Sequence, residues 1–293
     1  MKNSSSTKIL VDIKKLSKSF KRFKAVDKLS FKTFASEIFG LLGPNGAGKT
    51  TTIRTLATIL QPTSGTAEVM GFDIRKTPEE VRKHIGVLTT DIGLYDRFSG
   101  RENLTYYGKL YRLEGKKLEN RINELIRLLE MKDFIDRRAG KYSTGMKQKV
   151  AIARSVIHNP EILIYDEPTS GLDVLASQTV MKFMRRSKEQ GKCVILSTHL
   201  TYDAQRLCDR IAIIHKGKLI ELDNPDKLNS RYKTENLEDT FLEIIKKKNL
   251  EDHKNSNHLK ETKKSKTFNL KKVVRIIIII ALLLQIVVMP FLT

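Results

Sequence analysis

Eight consecutive residues, Gly43, Pro44, Asn45, Gly46, Ala47, Gly48, Lys49 and Thr50, fit the pattern G-x-x-x-x-G-K-[ST] at every fixed place. These residue types suit a polyphosphate. The glycines let backbone N–H groups turn inward around β- and γ-phosphates, and Lys49 brings a point charge to the same oxygens. The Thr50 hydroxyl is placed to ligate Mg²⁺. A helical pattern begins at Lys49, so its unpaired amides and positive dipole end add to the site, and Thr51 in that first turn belongs to the same binding set. An apolar run at 38–42 precedes the loop and reads as a buried strand, giving the strand–loop–helix context that the motif requires. The sequence therefore predicts binding of a nucleoside triphosphate.

About 116 residues further on, the apolar run 162–165 ends in Asp166 and Glu167. Two acids after a strand are common by themselves. Joined to a phosphate loop, they divide the remaining chemistry: Asp166 can hold Mg²⁺, and Glu167 can polarise the water that attacks the γ-phosphate in line.

The elements that must position these groups follow from periodicity. Residues 9–16 and 29–34 alternate apolar with polar, as half-exposed antiparallel strands do, and 65–71 reads as another short strand between turns. The helical pattern behind the loop extends over 51–60. From about 95 to 157 the pattern is helical again; Ser99 and Glu102 form a potential capping box, and Ile122, Leu125, Ile126 and Leu129 share one helix face. Apolar runs at 162–165, 193–196 and 211–214 read as core strands, the last entering a hairpin at Lys216 and Gly217. Strands alternating with helices predict an α/β fold around a parallel core sheet.

Composition narrows the partners. The chain of 293 residues carries a formal net charge of +21 and no tryptophan. Such a balance suits nucleic acid, an anionic membrane face or a lysine-rich solvated surface. The lysines run along the whole chain without an interleaved aromatic box, so nucleic acid is not expected as a partner. Cys193 and Cys208 have neither metal-type spacing nor a pairing framework, and Cys193 opens a strand-like run as a buried thiol would. The N-terminus has no apolar signal segment, which places the catalytic part in the cytoplasm as an expectation.

At this point the chain resembles the ATP-binding cassette (ABC) ATPases, through several separate motifs spread over roughly residues 9–245. Tyr142, Ser143, Thr144, Gly145 and Met146 match that family's Leu-Ser-Gly-Gly-Gln signature at Ser143 and Gly145, and depart from it at Thr144 and Met146. The resemblance implies that this loop cradles the γ-phosphate of ATP held by a second ABC domain, in a homodimer. It also implies a D-loop at Ser170, Gly171, Leu172 and Asp173, with Asp173 crossing the dimer interface. His199 takes the position of the switch histidine, and Phe20, 29 residues before Lys49, that of the ring stacked on adenine; a core phenylalanine is the other reading of Phe20. Thr90 stands where the family has its Q-loop glutamine and is too short to span the same distance to Mg²⁺ and water, so either Asp91 helps or the contact is missing. Softer similarities at 89–95, 98–104 and 236–242 point toward the ATPase subunits of sodium-exporting and related exporter systems.

The resemblance implies a P-loop ABC nucleotide-binding domain at 1–248, with a parallel core sheet, an antiparallel β subdomain and an α-helical subdomain at about 95–157. The implied activity is ATP hydrolysis with Mg²⁺, driving transport through a separate transmembrane permease. Two other readings stay open. A soluble ABC ATPase acting on ribosomes would be expected to have two cassettes, and one acting on DNA a long coiled coil before the signature loop; neither feature is in the sequence. A regulatory module that binds ATP without efficient hydrolysis is countered by Asp166, Glu167 and His199, though Thr90 leaves it possible.

Residues 249–272 read as a basic polar linker, and 273–293 as a candidate transmembrane helix or the stump of a fused permease. At 1.5 Å per residue the apolar run 276–292 spans about 25 Å, slightly short of a hydrocarbon core of about 30 Å. Val273, Val274 and a snorkelling Arg275 close most of that gap. Six cations from Lys263 to Arg275 precede the run, an arrangement that keeps the ATPase on the cytoplasmic face. If the run inserts, full-length protein expressed without a permease is expected to stay in the membrane pellet after an alkaline carbonate wash. Truncation after Lys248 should then give soluble protein of nearly unchanged ATPase turnover; equal solubility of the two forms would remove the anchor.

Overall fold

The computed structural model describes residues 8–89 and 93–251. Thr90 and Asp91, all but the first three residues of the basic linker, and the candidate transmembrane segment lie outside the described residues. The chain divides into two compact units, Met1–Phe241 and Leu242–Thr293. The described part of the second, 242–251, is helical. Among the described residues, no helix is long and apolar enough to cross a membrane.

The alternating segments near the N-terminus pair as expected. Strands β1 (Ile9–Phe20) and β2 (Phe23–Phe34) form an antiparallel hairpin, and β1 pairs on its other side with β4 (Ser64–Val69), itself joined to the short β5 (Phe72–Asp73). The continuous apolar runs build the second sheet. It contains β3 (Glu37–Leu42), β6 (Ile85–Leu88), β7 (Ile162–Asp166), β8 (Cys193–Thr198), β9 (Arg210–His215) and β10 (Lys218–Asp223), in the order β10-β9-β3-β8-β7-β6. All its neighbours run parallel except β10, which returns antiparallel at one edge. Every residue of β3, β7 and β8 is buried, which is why these strands read as unbroken apolar runs rather than alternating ones. The two sheets share one core, marked by Phe31 of β2 stacked on Phe39 of β3 with ring centroids 4.9 Å apart.

Helix α1 (Lys49–Leu56) follows the phosphate loop and α2 (Pro78–His84) leads into β6. The first is shorter than its 51–60 periodicity implies. Thr58 adopts φ +60°, and the N–H groups of Ile59 and Leu60 both return to the Arg54 carbonyl, closing the helix end ahead of Pro62. The helical subdomain contains α3 (Gly100–Leu110), α4 (Gly115–Leu128) and α5 (Thr144–Ser155). The capping box at its entrance is complete: Glu102 N–H donates to Ser99 Oγ at 3.1 Å, and Ser99 N–H to the Glu102 carboxylate at 2.7 Å. Ile122, Leu125, Ile126 and Leu129 are all buried. Helices α6 (Val174–Glu189), α7 (Thr201–Leu207) and α8 (Pro225–Tyr232) complete the first unit. Burial pushes the Cys193 thiol up to about 12 and raises that of Cys208, so neither is poised for thiolate chemistry.

The phosphate loop is gripped from two sides. Gly217, in the turn between β9 and β10, donates its N–H to the Ala47 carbonyl at 2.9 Å and accepts from Asp27 N–H at 2.8 Å. Both Gly217 (φ +77°) and Gly48 (φ +104°) pack directly on the Ala25 carbonyl, which an added Cβ would approach to 2.8 and 2.3 Å respectively. By contrast, Gly71 has φ +86° but open space around it. Alanine at positive φ costs about 1–2 kcal/mol, and forcing a methyl into a packed contact adds about 1–3 kcal/mol. Gly217→Ala is therefore expected to lower the urea midpoint clearly more than Gly71→Ala. Equal losses in the two variants would show that the grip on the loop contributes nothing.

Candidate active site

The parallel registers bring the chemistry together. Leu42 pairs with Thr198, and Asp166 with Ser197, so the loop after β3 and the ends of β7 and β8 meet at one edge of the sheet. Ligands of open α/β sheets bind at such carboxyl ends. Lys49 is 5% exposed, and its ammonium donates to the carbonyls of Gly43 (2.8 Å) and Pro44 (3.3 Å). Glu167 Oε1 lies 3.5 Å from the same ammonium, and Glu167 Oε2 is 2.9 Å from His199 Nδ1. Lys49, Glu167 and His199 thus form one chain of polar contacts, although 150 residues separate its ends.

Asp166 is 1% exposed. Its Oδ1 accepts from the hydroxyls of Thr50 (3.1 Å) and Ser197, whereas Oδ2 is buried without a hydrogen-bond partner. A buried carboxylate oxygen left unsatisfied is costly. A hard cation with oxygen ligands satisfies it, and the neighbouring Thr50 hydroxyl supplies a second donor of the right kind. The residues fit Mg²⁺. Glu167 sits at φ +52°, a left-handed conformation that costs a non-glycine residue about 1–2 kcal/mol. The turn beyond it accounts for the conformation: Glu167 N–H is tied to the Ser197 carbonyl at 3.1 Å, and Ser170 N–H returns to the Glu167 carbonyl at 3.2 Å.

A cavity of about 320 Å³ opens on the loop, lined by Phe23, Ala25, Asn45–Thr51 and Glu167. Phe23 was not singled out from sequence. It is 64% exposed and is the Cα partner of Phe20 across the β1–β2 turn. The Phe20 ring is not part of the lining and carries the Lys18 ammonium 5.1 Å from its centroid. The cue for Phe23 is its exposure at a hairpin tip, which only the register of the two strands reveals.

The signature segment does not line this cavity. Ser143 caps α5, accepting from Met146 N–H at 3.3 Å, while its own N–H is 3.4 Å from the Met146 sulfur. The thioether at position 146 therefore closes a capping box as a glutamine side chain would, which makes the departure from the family pattern structurally mild. Gly145 packs against α6, with Ala176 and Asp173 as its nearest neighbours, and Asp173 caps that helix by accepting from Ala176 N–H at 2.8 Å. Thr144 opens α5 behind the cap. Gln148, buried in the same helix, donates to the Pro168 carbonyl at 2.8 Å and so ties the signature helix to the residue after Glu167. Tyr142 braces the loop from behind: its hydroxyl accepts from Gly100 N–H and donates to the Phe134 carbonyl, both at 2.9 Å.

A phosphate loop on a central parallel strand, with its acids at the end of β7 and a histidine after β8, defines a P-loop nucleoside triphosphatase domain. The family profile described as ABC transporter matches residues 26–170. The ABC transporter ATP-binding protein NatA of Bacillus subtilis (strain 168) is 43% identical over 217 residues, covering 74% of this chain and 87% of that protein. The Nod factor export ATP-binding protein I of Rhizobium meliloti is 36% identical over 220 residues, 75% of this chain and 66% of that one. A solved ATP-binding subunit of an ABC transporter superposes with a TM-score of 0.74 at 28% identity, over 80% of this chain and 99% of its own. The chain belongs to the ABC transporter ATP-binding proteins and is an ATPase coupled to transport.

The aromatic hairpin is the feature here that calls for a direct test. Stacking of a base on an aromatic ring is worth about 1–3 kcal/mol. Phe23→Ala is expected to raise the Kd for ATP by several-fold or more in equilibrium titrations, and Phe20→Ala, whose ring lies outside the lining, to raise it less, with little change in the ATP-to-GTP ratio because stacking is base-tolerant. Wild-type affinity in both variants would exclude the hairpin as the base platform.

Proposed function

We propose that this chain is the ATP-hydrolysing motor of an exporter-type ABC transporter. It would act as a pair of cassettes beneath a separate membrane-spanning permease, on the cytoplasmic face of the membrane. The observation that carries the reading is the contact chain Lys49–Glu167–His199 beside the unsatisfied Oδ2 of Asp166. In this reading the amides of residues 43–51 and the Lys49 ammonium hold the phosphates of ATP, exchanging the Gly43 and Pro44 carbonyls for phosphate oxygens. Asp166 and Thr50 would hold Mg²⁺, which would supply positive charge to neutralise the phosphates. Glu167 accepts a proton from the water that attacks the γ-phosphorus, as the bond to the bridging oxygen breaks and ADP and phosphate form. His199 steadies the Glu167 carboxylate and faces the γ-phosphate. Phe23, in the cavity lining, offers the base its aromatic surface, and Phe20, paired with it at the hairpin tip, flanks that surface.

The signature residues Ser143, Thr144, Gly145 and Met146 are absent from the lining of the cavity that contains Lys49. That supports their completing the site of a second copy, with Asp173 at the shared interface. For cargo we favour small solutes, with cations such as sodium foremost. The export named for the Nod factor protein supports the direction rather than the identity of the cargo.

Removing a positioned general base typically costs about 10²–10⁴-fold in rate, and Gln preserves the shape of Glu167. Glu167→Gln is therefore expected to lower steady-state ATP hydrolysis by at least about a hundredfold while the Kd for ATP changes little. Because ATP then persists between two copies, the variant should elute as a dimer with Mg²⁺ and ATP and as a monomer without nucleotide. Turnover at the wild-type rate would remove Glu167 from the chemistry, and a monomer under all conditions would remove the shared site.

A further inference from the structure

One side chain in contact with both acidic residues of this site is that of Ser197, a fully buried residue near the end of β8. Its hydroxyl donates to Asp166 Oδ1 and also lies 3.3 Å from Glu167 N–H, which donates to the Ser197 carbonyl at 3.1 Å. One residue thus touches the side chain of the first acid and the backbone of the second. The contact is built into the sheet, since Asp166 and Ser197 are directly paired in the β7–β8 register.

The geometry at Asp166 gives this contact a consequence. A carboxylate oxygen has two in-plane lone pairs, and the two hydroxyls of Thr50 and Ser197 use both on Oδ1. That leaves Oδ2 as the oxygen free to meet a cation. Thr50 belongs to the loop–helix junction and is itself a candidate metal ligand, so it cannot serve as an independent reference. Ser197 can, because its backbone is locked in a strand with every residue buried. Ligands of this kind depend on outer partners that fix their rotation. The same residue also fixes the backbone amide of Glu167, whose left-handed φ of +52° would relax without a tether.

We propose that Ser197 is a positioning residue for this ATPase: it fixes the Asp166 carboxylate so that Oδ2 faces the metal and anchors the amide from which Glu167 projects. This rests on the assignment of Asp166 to Mg²⁺ and Glu167 to the attacking water. The test compares Ser197→Ala, Ser197→Thr and Asp166→Asn. Mn²⁺ stands in for Mg²⁺, and its binding to the ADP-loaded protein is followed by electron paramagnetic resonance. Ser197→Ala is expected to weaken Mn²⁺ binding about tenfold and to lower ATP turnover about ten- to thirtyfold. ADP affinity in excess EDTA should stay within twofold of wild type, and so should the urea midpoint within a few tenths molar. Ser197→Thr keeps the hydroxyl and should recover most of both losses; Ser197→Cys, close in volume but a weak donor, should behave like Ser197→Ala if the extra methyl of threonine disturbs folding. Wild-type Mn²⁺ affinity and turnover in Ser197→Ala, with Mn²⁺ binding lost in Asp166→Asn, would overturn the role of Ser197 alone. Undiminished Mn²⁺ binding in Asp166→Asn would instead overturn the metal assignment beneath it.

Discussion

A full positive charge sits at Lys49 with almost no access to water, and much of the site is arranged around that fact. A buried ammonium is costly unless acceptors surround it. The loop supplies two carbonyls and the end of β7 supplies a carboxylate. These are contacts a polyphosphate can take over, because its oxygens are stronger acceptors than carbonyls and carry charge. The same compensation places Glu167, which reaches the lysine with one oxygen and His199 with the other. The chemistry and the electrostatic balance of the site therefore use the same few atoms.

Such a balance needs a rigid frame. The antiparallel sheet and the β9–β10 turn both hold the loop, through the Ala25 carbonyl and the Ala47 carbonyl. The core sheet fixes Asp166 by register rather than by loop geometry, since it is still within β7. Only at Glu167 does the chain leave the strand, and there it adopts a strained left-handed turn. Strain of this kind survives where surrounding bonds over-determine it, and here two bonds from the turn and β8 do so.

The helical subdomain shows how a departure from a family pattern can be absorbed. The signature loop needs a capped helix start with free amides, and a glutamine is one way to complete the cap. Met146 completes it with sulfur. Its neighbour Gln148 then ties the helix to Pro168, one residue past Glu167. This bond gives the signature helix and the segment after the acid a shared mechanical reference.

Much of this was legible in the chain alone. The phosphate loop and the acids after an apolar run are local patterns, set by backbone freedom at glycine and by residue chemistry, whereas Ser143, Asp173 and His199 were legible through the resemblance to the ABC family. Buried strands announced themselves as continuous apolar runs because both faces of β3, β7 and β8 are covered. The capping box at Ser99 was readable because both partners lie within one turn. What sequence did not determine were the relations across strands. Nothing local distinguishes Phe23 from Phe20, because which ring lines the cavity depends on the hairpin's tip against the loop. Ser197 reads as an ordinary residue before Thr198 and His199 until the β7–β8 register sets it opposite Asp166. Gly217 looks like a turn glycine until Ala25 is seen against it. Local pattern determined which groups are available, whereas strand pairing decided which of them touch. The reason is that contact between residues 31 or 192 positions apart is settled by the packing of the whole sheet.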